Sequence, residues 1–262
     1  MTLSISQDTL PIVKAGLRNA HSQAKSCQRT EALAAGLGYR TYAGLLKSLA
    51  AGPVSASVDN LVYCARLGVP SVDDRGEPSR HLSRAIVRGM MHPVLDAQPE
   101  LTLRGFDSIW QGDARELALP VAERRAAFQE RRDEAYHDGW SADQFELATL
   151  FLSQQTMNKT LNRESSSYRI KHRAEGLSRH FGMFKELGNY VSNGMMIAAA
   201  YAAGYTVKPI RHSSYNAWLN ISKRTLRASE GYDVRTRRAD RPEIVRGMYA
   251  SLDSDRNDRR AA

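Results

Sequence analysis

The stretch Ser167-Tyr168-Arg169-Ile170-Lys171-His172-Arg173-Ala174-Glu175-Gly176-Leu177-Ser178-Arg179-His180-Phe181 decides how the second half of this chain folds. Ile170, Ala174, Leu177 and Phe181 recur at intervals of four, three and four, the repeat of a helix that buries one stripe. Arg169, Arg173 and His180 share a flank of that helix. Lys171, His172 and Arg179 add charge on the side expected to face solvent, so the spacing predicts a basic amphipathic helix.

Working outward, Asn158 to Ser166 reads as a polar loop entering this helix. Downstream, Ser192 or Asn193 is placed to cap a second helix, Gly194 to Ala203, with Gly204 as its stop. It holds the chain's longest unbroken apolar run, Met195 to Ala203. A membrane span needs roughly 20 apolar residues, so this run reads as a buried helix. The period then changes to two. Tyr205 to Ile210 and Ala217 to Ser222 read as strands of a hairpin joined by Arg211 to Asn216, with Pro209 implying an edge position. Arg224 to Asp240 reads as a basic arm, Pro242 opens a last short helix, and 253–262 is an expected disordered tail.

The first half is helical by pattern. Leu33 and Leu37 precede Gly38, and Tyr42, Leu45, Leu46 and Leu49 follow it, which predicts a helical hairpin with Gly38 as the stop. Ala51 to Ser57 reads as a break, Val58 to Leu67 as a helix closed by Gly68, and Ser79 as the cap of a helix stopped by Pro93. Pro120 opens a charged helix running to about His137, with few apolar anchors. Ser141 is placed to cap a strongly apolar helix after it. The expected fold is mainly α, an N-terminal helical domain (1–119) and a connector helix (120–140). A basic α+β C-terminal domain with a small hairpin (141–252) and the tail follow.

Charge sharpens this division. Of the formal net charge of +9, residues 158–238 carry 15 Lys/Arg against 5 Asp/Glu, which leaves the remainder close to neutral. A folded face of that sign suits an anionic partner, nucleic acid or an acidic protein surface. The candidate contacts are Arg163, Ser166, Ser167, Arg169, Lys171 and Arg173 around the first helix, with Lys208 and Arg211 on the hairpin. Arg235, Arg237 and Arg238 on the basic arm complete the set. Helix, helix and hairpin in that order suggest a winged helix-turn-helix variant. The second helix is too apolar to read bases, so groove contacts fall to the first. A merely solvated charged face is the competing reading.

Nothing in the spacing identifies a reaction. The seven histidines are dispersed without a metal-ligand spacing, and neither a P-loop nor a nucleophile elbow is present. No catalytic residue, metal or cofactor is assigned. Groups that only folding unites, such as His172 or His212 with Ser166, Tyr168 or Glu175, escape such a reading. Cys27 and Cys64 form no CxxC pair, and neither an export signal nor a membrane span is legible, so the expected location is the cytoplasm.

Two stretches carry a resemblance. Thr30-Glu31-Ala32-Leu33-Ala34-Ala35-Gly36-Leu37-Gly38-Tyr39-Arg40-Thr41-Tyr42-Ala43-Gly44-Leu45-Leu46 resembles a small helical module at the front of glyoxalase-related and other accessory proteins of bacterial plasmids. Lys159 to Asn162, Ser166 to His172, Tyr190 to Gly194 and Asn216 to Ser222 together look like a block in uncharacterised accessory proteins of plasmids and integrative elements. The resemblance implies a mobile-element setting and no activity, and nothing of a glyoxalase metal site follows the module. Two non-enzymatic roles fit. One is DNA binding through the basic C-terminal domain. The other is inhibition of a competing conjugation system (fertility inhibition) or host-defence system by binding one of its proteins.

Overall fold

A computed structural model describes residues 2–72, 76, 79–137, 139–181, 187–210 and 215–229. It is mainly helical, with small antiparallel sheets. Helices α1 (Leu10–Ala20), α2 (Ser26–Gly36), α3 (Tyr42–Ala51), α4 (Asn60–Leu67) and α5 (His81–Ala97) build the first half. Gly38 takes φ +83° between α2 and α3, the left-handed stop its position predicts, and Thr41 Oγ1 caps α3 by accepting from Gly44 N.

The expected break at 51–57 is instead strand β2 (Val54–Ser57), paired antiparallel with the N-terminal strand β1 (Thr2–Ile5). Leu3 and Ile5 are buried, so the pairing covers the end of the helical layer. Pro93 does not stop α5. The helix runs through it because Leu95, fully buried, extends the apolar stripe into the next turn. Ser79 is not its cap either: Asn60 Oδ1 on α4 accepts from the N–H groups of Leu82 and Ser83. A cap supplied from a distant element leaves no local pattern to read.

Strands β3 (Leu101–Thr102) and β4 (Gly105–Phe106) form a tight antiparallel pair before α6 (Ala114–Ala118) and α7 (Val121–Ala135). Of α7 only Ala135 is buried; the helix is pinned by its arginines instead. Arg131 Nε lies 2.8 Å from the buried Asp107 carboxylate, and Arg132 donates to the carbonyls of Leu95, Gln98 and Pro99. Helix α8 (Trp140–Ser153) follows Gly139 at its N-cap, and Ser141 does not cap it: its buried hydroxyl donates to Glu134 O.

The polar segment 158–166 is the clearest departure from the expected loop. Strand β5 (Met157–Ser166) is ten residues long and pairs antiparallel with β7 (Ala217–Ile221), and β6 (Val207–Pro209) takes the other side of β7. The predicted hairpin is therefore two strands of three, with Pro209 on an edge as expected. Register shifts along β5 destroy the period-two alternation that would have marked it. Helices α9 (Ser167–Phe181) and α10 (Asn193–Ala202) pack against this sheet, and α11 (Lys223–Ala228) stands where the basic arm was expected to begin. The residues beyond, with the arm's remainder, the helix from Pro242 and the tail, lie outside the described residues.

Helix α10 is buried from Asn193 to Ala200 and touches α5, α8 and α9. Buried apolar residues from Leu3 to Leu226 form one cluster, to which α10 contributes Met195 to Ala200. Among the described residues, no helix is long and apolar enough to cross a membrane.

Candidate nucleic-acid interface on α9, β5 and α11

The start of α9 is locked by a buried polar junction. Ser167 Oγ donates to Asn193 Oδ1 at 2.7 Å and accepts from Ala217 N at 3.0 Å. Asn193 Nδ2 in turn donates to the carbonyls of Arg104 and Tyr215, 3.0 and 2.8 Å away. The starts of α9, α10 and β7 and the β3–β4 turn thus meet through two side chains. Ser167 is fully buried, so it serves this junction and is no contact for a partner.

One turn further along, Lys171 is also not on the exposed side. Its ammonium lies 2.8 Å from Glu175 Oε1, and the same oxygen accepts from Val191 N. The other carboxylate oxygen meets His172 Nδ1 at 2.7 Å, with Arg179 at 3.7 Å. A carboxylate inside the fold is tolerable only with such a shell of donors. Lys171 Nζ also sits 5.1 and 4.9 Å from the ring centroids of Tyr168 and Tyr190. Spacing alone could not place Tyr190 here, because it comes from the connection beyond α9.

Arg173 is half-buried and structural: it donates to Leu226 O at 2.6 Å, tying α11 to α9. Ser166 is half-buried on β5 opposite Trp218. Arg163 and Arg169 are exposed, as is Lys208 on the edge strand β6. Arg211, Arg235, Arg237 and Arg238 lie outside the described residues.

Lys223, Arg224 and Arg227, read from the sequence as the start of a flexible basic arm, stand instead on helix α11. Asn162, Glu164, Ser165, Arg169, Lys223, Leu226 and Arg227 line a polar groove of about 250 Å³ between β5, α9 and α11. Lys223, hydrogen-bonded to Glu164, holds that carboxyl below the usual range, with Arg227 and Arg169 adding to the effect. Over the described part of 157–229, eight cations are exposed: Lys159, Arg163, Arg169, Arg179, Lys208, Lys223, Arg224 and Arg227. Glu164 is the one exposed acid among them.

A second cleft, about 460 Å³, lies between α1 and α2, with Leu10, Leu17 and Leu33 beneath Lys14, Arg18 and Arg29. Arg29 is occupied there by the carbonyls of His21 and Ala24. Among the described residues, no group of three or more His, Cys, Asp or Glu is placed to hold a metal ion. No family model matches the chain, and neither a curated protein nor a solved structure does.

Proposed function

We propose that this chain binds nucleic acid through the surface formed by β5, the exposed side of α9 and α11. The observation that carries the reading is the imbalance of exposed charge over the described part of 157–229, eight cations to one acid, with Arg169, Lys223 and Arg227 lining a polar groove. Such a surface attracts a polyanion largely independently of sequence, because phosphate neutralisation releases condensed counterions. Arg163, Arg169, Lys223, Arg224 and Arg227 are the phosphate contacts, and Lys208 adds one on the opposite edge strand, β6. The mobile-element setting is part of the proposal and rests on the two resembling stretches alone.

Fluorescence anisotropy with a labelled oligonucleotide across a salt series tests this. Log affinity should fall linearly with log salt, by about 0.7 to 0.9 for each phosphate neutralised. Affinity that stays flat, or no binding at low salt, overturns the reading. A stoichiometric protein partner recovered from nuclease-treated lysate would then favour the inhibitor role instead.

A further inference from the structure

Resting on the nucleic-acid reading, we infer that the ligand is single-stranded and that its unpaired bases stack on Tyr168 and Tyr190. Both rings are about half exposed, at 52% and 53%. They share one support, the buried Lys171 ammonium, which lies about 5 Å from each centroid and is itself held by Glu175. His172, on the same carboxylate, packs edge-on against Tyr168 with centroids 4.6 Å apart at 87°. Three aromatic rings, each about half exposed, thus share one buried ion pair as their support.

Surface tyrosines are ordinary, but this support is not. Burying an ammonium and a carboxylate is expensive, and nothing in an exposed ring demands it. What it provides is preorganisation, since a ring already held in place loses little freedom when a base settles on it. Cations flank the rings: Arg179 lies 3.7 Å from the same Glu175 oxygen that meets His172, and Arg169, on the next flank of α9, lines the groove. Aromatic faces beside a cationic track are the recognition mode of single strands, whose bases are free to stack; a duplex keeps its bases paired inside. The α10 helix, buried from Asn193 to Ala200, offers no recognition helix for a duplex groove.

The test compares a single-stranded 12-mer oligonucleotide with its matched duplex by anisotropy, for the intact chain and for Tyr168→Ala, Tyr190→Ala and Tyr168→Phe. The single strand should bind more tightly. Each alanine variant should lose on the order of tenfold on the single strand while leaving duplex affinity unchanged, and Tyr168→Phe should retain binding. Thermal melts check that the variants fold, which exposed positions favour. Equal binding of both forms, or alanine variants that bind the single strand normally, overturns the stacking inference and leaves the nucleic-acid reading standing. Absence of binding to either form overturns both.

Discussion

Lys171 Nζ lies 2.8 Å from Glu175 Oε1, one helical turn away, and the two side chains are only 5% and 2% exposed. Removing either partner strands a charge inside the fold. Lys171→Met and Glu175→Gln should each destabilise the chain, Lys171→Met by about 3 kcal/mol or more. The double variant should cost less than the two single losses added, because no unpaired charge remains. Urea unfolding of the three variants measures this, and strict additivity would show that the pair is not coupled.

Glu146 introduces a pH dependence. Burial pushes its carboxyl up to about 7, against the opposing pull of Arg80 and with a smaller push from Asp143. A carboxyl raised on folding binds its proton more tightly in the native state than in the unfolded chain. Its contribution is fully present below the unfolded value near 4.5 and is lost as pH rises to about 7. Stability should therefore fall over that window by on the order of 3 kcal/mol. Glu146→Gln should flatten the fall, with Arg80 keeping Asp143 as a partner 3.0 Å away.

Two glycine substitutions should separate close packing from backbone conformation. At Gly194 an added Cβ would lie 1.7 Å from Thr102 O, where Gly194 N already donates to Leu103 O. Gly194→Ala must part α10 from the β3–β4 turn and should cost several kcal/mol. Gly38→Ala meets no neighbour within 4 Å and strains only a left-handed φ, at about 1 kcal/mol. Thermal denaturation should rank them in that order; equal losses would contradict the packing.

The groove charges act on binding rather than on the core. Lys223 and Arg227 are exposed, so Lys223→Gln and Arg227→Gln should leave melting temperatures nearly unchanged. Each should reduce the salt slope of nucleic-acid binding by about 0.7 to 0.9. Glu164→Gln, which removes the one exposed acid among the described residues of 157–229, should instead raise affinity severalfold at low salt. A variant series that moves affinity without moving the slope would place the phosphates elsewhere.

The apolar period of 167–181 determined α9, because Ile170 and Ala174 are buried on the predicted stripe. The unbroken run from Met195 determined a buried α10, and Gly38 and Gly68 stop their helices as local backbone geometry requires. These features depend on neighbours within a few residues, which is what periodicity records. Strand β5 escaped that record because its partner β7 lies some 50 residues on and its register shifts erase alternation. Lys171 looked like a solvated cation for the same reason: the residues that cover it, Tyr190 and Val191, come from beyond the end of α9. Charge content was legible from the sequence, while tertiary packing alone decided which cations are spent inside the fold and which face outward.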